Sequence, residues 1–269
     1  MLRRSILRLS LLSTLVAAGC QKPPAAESEP PESVGAPDTA EGDDATAEAN
    51  ADAPLPAAEK VLAGAIEAVG GKAAVDAIES SYMESKTEIK AQNITINTRI
   101  WSKGDNFYVE SDMPGMGVQQ IWKKGQDVWS KDPINGMRKL EGKEAHQARW
   151  SAEPLLAANW AEYFDEAQTV DVRTLGEQEV VEVELRSEES TVKLQFDAKS
   201  YLPAGQSFMQ ESPMGALAIE ITYEDYKEVA GVMTPFRSVT NMQLTSAVQT
   251  TEKYEVNVEI EDAKFDPPS

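Results

Sequence analysis

Alternation of apolar and polar residues is the feature that most constrains this chain. Segments 94–101, 181–186, 192–196 and 254–261 place apolar side chains at every second position and mostly charged or amide side chains between them. Because successive side chains of a strand point to opposite faces, this period predicts antiparallel strands with one buried and one solvated face. Short turn clusters at 103–106, 124–127, 197–200 and 230–231 separate such segments. We expect about ten strands joined largely by hairpins.

Helical spacing interrupts this pattern in two places. Apolar residues from Val61 to Val69 recur with a helical period, Gly70-Gly71 provides a stop, and Ala73–Ile78 predicts a second short helix. Glu141–Phe164 lacks alternation and predicts two further helical pieces, the second opened by Pro154. The fold class is therefore α+β: a large curved antiparallel β-sheet, half closed as a half-barrel, wrapped against helices.

The N-terminus has the composition of a secretion signal. Three arginines precede a short apolar run that ends in small residues before Cys20, and the run is too short to span a bilayer stably. The stretch Leu15-Val16-Ala17-Ala18-Gly19-Cys20 resembles a bacterial lipobox, with Ala17 where Leu is commonest. The resemblance implies that residues 1–19 are a lipoprotein signal peptide and that Cys20 is lipidated, palmitate being one of its acyl chains. Gln21 follows, with no Asp that could retain the protein in the inner membrane, so the expected address is the outer membrane.

Residues 20–57 differ in composition from the segments on either side. They contain no aromatic residue and consist mainly of Ala, Pro, Glu, Asp, Ser, Thr and Gly. Such a segment buries too little apolar surface to offset the entropy of ordering, so we expect a disordered acidic tether. Residues 58–269 make up the remaining globular domain.

Several function classes are excluded by composition. The single Cys permits no intramolecular disulfide and no Cys-based metal cluster, and the single His permits no His-rich metal site. A net charge of −20 argues against a nucleic-acid groove. The sequence shows no nucleophile elbow, phosphate-binding loop or dinucleotide fingerprint. His146 is interpreted as part of a solvated helix face. We therefore expect a non-enzymatic protein without cofactor or metal.

Two methionine pairs lie beside Pro and Gly, at Met113-Pro114-Gly115-Met116 and at Met209–Met214. Thioether clusters can bind Cu(I) in an oxidising compartment. Methionine also fills irregular core or cleft surfaces because its side chain adapts to uneven shapes. We favour the second interpretation, in which these loops border a cleft.

Three motifs carry a resemblance to a known fold. Glu67–Ile78 is similar to the Gly-Gly opening of a bacterial envelope domain, and its partners are Tyr223–Phe236 and the closing Ala263-Lys264-Phe265. Phe196-Asp197 through Leu202-Pro203 resembles a hairpin of the same domain. This domain is similar in type to the outer-membrane lipoprotein-sorting half-barrel of LolA and LolB. The resemblance covers residues 58–268 and implies a fold with a concave face able to hold a lipid.

A half-closed sheet leaves a concave face that helices must fill or cover. The first interpretation is a hydrophobic site for a lipid or acyl ligand. Its candidate residues are Trp101, Met113, Met116, Trp122, Trp129, Leu156, Trp160 and Met214. The alternative is a structural or accessory lipoprotein whose barrel is plugged by the central helix and which binds an envelope protein partner. In both cases the lipidated Cys20 attaches the chain to the outer membrane, facing the periplasm, and exposure at the cell surface stays open.

Overall fold

The computed structural model describes residues 54–153, 155–210, 215–242 and 245–268. Within these ranges thirteen strands form one antiparallel sheet, in the order β6-β5-β4-β3-β2-β1-β13-β12-β11-β10-β9-β8-β7. The strands are β1 Ser80–Ile89, β2 Ile94–Lys103, β3 Asn106–Met113, β4 Gly117–Lys124, β5 Asp127–Asp132, β6 Gly136–Lys139, β7 Glu166–Leu175, β8 Gln178–Arg186, β9 Thr191–Asp197, β10 Pro203–Gln210, β11 Leu217–Val229, β12 Val232–Met242 and β13 Thr245–Val256.

The helices are short and stand before and within this run of strands. They are α1 Ala58–Ala68, α2 Gly71–Asp76, α3 Gly142–Ser151 and α4 Leu156–Asn159, with 3₁₀ turns at Lys90–Gln92, Trp160–Glu162 and Asp262–Phe265. The predicted two helical pieces in 141–164 are confirmed as α3 and as α4 with its 3₁₀ turn. Pro154, expected to open the second piece, lies outside the described residues. No helix in the described ranges is long and apolar enough to cross a membrane.

The α+β class and the open antiparallel sheet wrapped on helices are confirmed, with more strands than the ten expected. Two of the strands are hard to recognise in sequence. β6 has only four residues, and the edge strand β7 is interrupted by an irregular register at Thr169/Asp171. A short strand and an irregular one do not show the clean period-two signal.

The two faces of the sheet are covered by different parts of the chain. On the inner face, Met83, Ile100, Phe107 and Val109 pack against Ala152 at the end of α3. Further clusters on this side join Val128 of β5 to α3, and β12 to α1 and α2. The outer face is its reverse, because neighbouring residues of a strand point to opposite sides. The helices thus bury the inner face.

The Gly-Gly motif docks directly on the turn between β11 and β12. Val69 O accepts a hydrogen bond of 2.9 Å from Met233 N. Gly70 has φ +118°, and a Cβ added there would lie 2.0 Å from the carbonyl oxygen of Gly231. Two of the sequence motifs are therefore partners because their backbones touch at a point where no side chain fits.

The β9–β10 hairpin is built around Asp197. Its carboxylate accepts hydrogen bonds from Ser200 N at 2.6 Å, Lys199 N at 3.1 Å and Gln178 Nε2 at 2.8 Å. Partial burial acts to raise the pKa of Asp197, but these hydrogen bonds outweigh it and lower the pKa to about 2.

Replacing Gly70 by Ala is expected to destabilise the fold severely. The substitution combines a φ that L-residues rarely adopt with a clash against Gly231 O, and we expect a loss of about 3 to 5 kcal/mol in the free energy of unfolding. Urea denaturation followed by circular dichroism measures it. Gly176→Ala is the control, because Gly176 also has a positive φ but no atom within 4 Å of an added Cβ. Equal losses in the two variants would contradict the docking account.

Asp197→Asn is expected to remove part of the acid sensitivity of the fold. A carboxyl whose pKa is lowered on folding stabilises above its unfolded pKa, and this stabilisation is lost as pH falls towards about 2. The variant should be less stable at pH 7, by about 1 kcal/mol. This stability deficit should shrink as the pH falls from about 4, near the reference pKa of an Asp carboxyl, to about 2, the pKa of Asp197 in the folded protein. Urea midpoints at a series of pH values test this, and a pH-independent deficit would refute it.

Candidate functional site: an apolar cavity under the α3–α4 segment

An apolar cavity lies between the inner face of the sheet and the segment from α3 to α4. Its volume is about 80 Å³, room for only a few water molecules. The helical segment contributes Trp150, Leu155, Leu156 and Ala157, and the strands contribute Leu194, Phe196, Gln206, Tyr223, Tyr226, Met233 and Pro235. Most of this lining is hydrocarbon or aromatic, so the cavity suits an apolar group with few hydrogen bonds to offer.

The few polar atoms of the lining differ in how they are used. The Tyr226 hydroxyl donates a hydrogen bond of 2.5 Å to Pro203 O. For Tyr223 no hydrogen bond is found among the described residues, and burial raises the pKa of its phenol well above the ordinary value. Tyr223 is therefore protonated at any physiological pH and presents an O–H donor in the cavity wall.

Side-chain hydrogen bonds tie the segment over the cavity together. Glu153 Oε1 accepts from Asn159 Nδ2 at 2.9 Å, and Glu153 Oε2 accepts from the Tyr163 hydroxyl at 3.2 Å. Gln147 of α3 donates to Met209 O of β10 at 3.0 Å. The cover is thus anchored at α3, while four-residue α4 is held mainly by Glu153 and by its apolar contacts.

His146 is not on a solvated helix face, and that expectation is wrong. Only 5% of the residue is exposed. Its Nε2 lies 2.8 Å from Tyr163 O, which can only accept, so Nε2 carries the proton. Its Nδ1 lies 3.1 Å from the Ser190 hydroxyl and 3.5 Å from Glu189 Oε2. The ring of Phe164 and the packing of α3 bury His146, although the local sequence is charged.

Ser190 and His146 contact each other as a nucleophile and a base would, but the other hydrogen bonds of Ser190 are those of a turn. Ser190 N donates to Ser187 Oγ at 3.2 Å, and Ser190 O accepts from Ser187 N at 2.9 Å. The backbone N–H of Ser190 is therefore already engaged, whereas acyl transfer needs free donors for an oxyanion. The pair joins α3 to the β8–β9 connection.

The outer face carries a row of five aromatic side chains. Cross-strand register aligns Tyr82, Trp101, Tyr108, Trp122 and Trp129 on five successive strands, β1 to β5. The ring centroids of the first four are 5.1 to 5.2 Å apart along the row. Rings that stack on one another at this spacing contribute about 0.5 to 1.5 kcal/mol per pair beyond their burial.

Residues 257–268, here named the C-terminal strap, cover this row. Ile260 and Phe265 pack on Tyr108 and Trp122. Lys264 Nζ lies 3.9 Å from the ring centroid of Trp101. Two ion pairs fasten the strap, since Lys103 contacts Asp262 at 2.7 Å and Lys124 contacts Asp266. The strap covers the aromatic row of the outer face, and the helices cover the inner face.

The structure does not bring the candidate ligand residues of the sequence together. Leu156 lines the cavity, and Trp160 begins the 3₁₀ turn after α4. Trp101, Trp122 and Trp129 lie on the opposite face of the sheet. Met113 is buried and Met116 half-buried at the β3–β4 turn, whereas Met214 and Cys20 lie outside the described residues.

Sequence reasoning missed most of the strand residues that line the cavity. Tyr223, Tyr226, Met233 and Pro235 belong to the segment 223–236, which the sequence identified as a fold motif rather than as a wall. One signal could have found them. A run rich in aromatic and apolar residues around the Ala230-Gly231 turn predicts a hairpin, and hairpin partners share a face.

Comparison with known proteins identifies the fold. No protein-family model matches this sequence, and no curated protein matches it. Among solved structures, a LolA superfamily protein of Nitrosomonas europaea is 19% identical, with 79% of this chain and 99% of that chain covered and a TM-score of 0.52. An outer membrane lipoprotein-sorting protein domain of Vibrio parahaemolyticus is 16% identical, with 77% and 97% covered and a TM-score of 0.50. A DUF1329 family protein of Desulfovibrio piger is 12% identical, with 78% and 97% covered and a TM-score of 0.54. The chain has a LolA-like fold.

Phe265→Ala is expected to lower the free energy of unfolding by about 3 to 5 kcal/mol, because Phe265 is fully buried between the strap and the aromatic row. Urea denaturation measures the loss, and tryptophan emission should shift to the red as the row becomes hydrated. Val172→Ala, a truncation at an exposed side chain, is the control. A loss below about 1 kcal/mol would show that the strap is not part of the core.

Proposed function

We propose that this chain is a non-enzymatic, lipid-anchored envelope lipoprotein that binds a hydrophobic ligand, a lipid or acyl chain, under its α3–α4 segment. The observation that carries the proposal is the apolar cavity between this segment and the inner face of the sheet. The LolA-like fold supports it, since one structural neighbour bears the name of a lipoprotein-sorting domain.

The cavity as it stands is too small for an acyl chain, so binding requires α4 to move. Ligand pockets usually have volumes of about 300 Å³ or more. Exposing Leu155 and Leu156 of the cover would cost about 1.5 to 3 kcal/mol for each side chain. A buried acyl chain gains about 0.8 kcal/mol per methylene, so a long chain offsets that cost. Short chains do not offset this cost, so the site should select ligands by the length of their acyl chain.

The proposed location follows from the N-terminal sequence. Residues 1–19 would be removed as a signal peptide, Cys20 would carry the acyl chains, and residues 20–57 would tether the domain of residues 58–269 to the outer membrane. Several acyl chains on one residue anchor far more firmly than one. Labelling with radioactive palmitate in the wild type and in Cys20→Ser tests this, and equal labelling of the two would refute it.

The second candidate is an accessory lipoprotein whose filled barrel serves as a protein-interaction module. The favouring observation is the size of the cavity, because Trp150 and Leu156 already occupy much of the space under the segment. Under this candidate the cover never opens, and the net charge of −20 favours a basic partner.

Filling the cavity distinguishes the two candidates. Ala157 lines the cavity, so Ala157→Phe in the full chain carrying Cys20→Ser should weaken uptake of palmitic acid at least about tenfold, because the ring takes the space of the ligand. Native mass spectrometry and displacement of a fluorescent apolar probe measure uptake. Ala148→Phe is the matched control, a half-buried alanine of α3 that packs on a different cluster. If the parent chain carries no acyl species and takes up no probe, the ligand proposal fails and the interaction module is favoured.

A further inference from the structure

The inner face of the sheet is not uniformly apolar. A line of uncharged polar side chains crosses it from β11 to β4, and we name this line the polar track. Its members are Tyr223, Ser238, Gln249, Thr251, Thr87, Ser85, Thr98, Ser111 and Gln119. Cross-strand pairs join the members in two rows, one from Tyr223 to Thr87 and one from Thr251 to Gln119, and the rows lie side by side on β13 and β1. Together they span seven neighbouring strands.

Apolar residues flank the track on the same face. On one side Met83, Ile100 and Val109 are buried in register with one another. On the other side Ile96 and Met113 are buried. A polar line between two apolar bands matches a ligand whose polar atoms lie between hydrocarbon parts. A pure hydrocarbon would not match it, because a hydrocarbon makes no hydrogen bonds to the polar side chains.

Ser85 at the centre of the track has no partner. The residue is 3% exposed, and its Oγ makes no hydrogen bond in the described part of the chain. Its neighbours are engaged, since Thr98 Oγ1 and Ser111 Oγ are 3.1 Å apart and Thr251 Oγ1 lies 3.8 Å from Met83 Sδ. A buried hydroxyl without a hydrogen-bond partner costs free energy. This cost is the physical reason to expect that a ligand supplies an acceptor for the Ser85 hydroxyl.

The register of β1 on β13 is irregular beside this serine. Glu84 pairs with Lys253 and Ser85 with Thr251, so Glu252 is the extra residue of a bulge. Bulges change the direction of local side chains and often stand next to binding sites. The bulge and the unpartnered hydroxyl are independent observations that meet at Ser85.

One end of the track enters the cavity already described. Tyr223 is a member of the track and of the cavity wall, and Gln206 beside it also lines the cavity. The Tyr223 phenol is a donor without a described partner, as is the Ser85 hydroxyl. An oxygen that only accepts hydrogen bonds fits both groups, and a carbonyl oxygen is such an acceptor.

We propose that the polar track binds the ester carbonyls of a fatty-acyl ester whose chains occupy the flanking apolar bands. This inference rests on the proposed function and narrows its ligand from any hydrophobic compound to an acyl ester. The hydroxyls of Ser85 and Tyr223 donate to the ester oxygens. Such esters occur in glycerophospholipids and in the diacylglyceryl group of lipidated proteins, and the chemistry recognised is the same in both.

The test compares lipids that differ only in these carbonyls. Dipalmitoyl phosphatidylcholine and its dialkyl ether analogue have the same head group and chain length. With the full chain carrying Cys20→Ser, the ester lipid should bind about three- to tenfold more tightly than the ether lipid in native mass spectrometry titrations. A diacylglyceryl-cysteine peptide and its dialkyl counterpart are measured in parallel. The source with the larger ester preference is the ligand that the track fits.

Three variants separate the track from the rest of the site. Ser85→Ala and Tyr223→Phe should each reduce the ester preference towards one. Ser130→Ala is the matched control, because Ser130 is equally buried in β5 but lies outside the track. Ser85→Ala should also keep or raise the thermal midpoint, because it removes an unpartnered buried hydroxyl.

The outcomes are distinguishable from failure of the proposed function. If ester and ether lipids bind equally and Ser85→Ala has no effect, the track proposal is overturned while the hydrophobic site stands. If neither lipid binds and the apolar probe is also excluded, both proposals fall. An ester preference that Ser130→Ala abolishes as fully as Ser85→Ala overturns the assignment to the track.

Discussion

Apolar side chains stand on both faces of the open sheet, and the need to bury them organises the molecule. Helices cover the inner face, and they are anchored where the backbone of Gly70 meets that of Gly231. The C-terminal strap covers the aromatic row of the outer face with Ile260 and Phe265. The helices do not fill the inner face completely, and the cavity under α3 and α4 is the space that remains.

The fold was predictable because its signals are local. A hairpin turn fixes which residues face each other, so the turns at 104–105 and 125–126 pair Trp101 with Tyr108 and Trp122 with Trp129. These turns were recognised in the sequence, and counting the same number of residues back and forward from each turn would have predicted two of the four cross-strand pairings in the aromatic row. The alternation correctly predicted strands within 94–101, 181–186 and 192–196, but in 254–261 the strand ends at Val256 and the rest belongs to the C-terminal strap. Only the short β6 and the irregular β7 lacked a clean pattern.

The site was less predictable because it depends on which face a residue occupies relative to distant elements. The candidate ligand residues were grouped by residue type, yet Trp101 and Leu156 lie on opposite sides of one sheet. Leu156 lines the cavity, and amphipathic spacing in a helix indicates which of its faces is buried. His146 shows the limit of that logic, since a charged neighbourhood in sequence conceals contacts with Phe164 and Ser190 that only the tertiary fold creates.

Whether such a half-barrel is filled or loaded is a competition between its own side chains and a ligand. The cover offers Trp150, Leu155 and Leu156 to the inner face, and these make the empty state stable without any partner. These apolar side chains can cover hydrocarbon surface, but they cannot provide a hydrogen bond for the Ser85 hydroxyl. A ligand that brought only methylenes would merely exchange one hydrocarbon for another. A ligand that also brought a carbonyl would gain a hydrogen bond that the protein's own cover does not supply, and under our proposal this difference would favour an acyl ester over the closed segment.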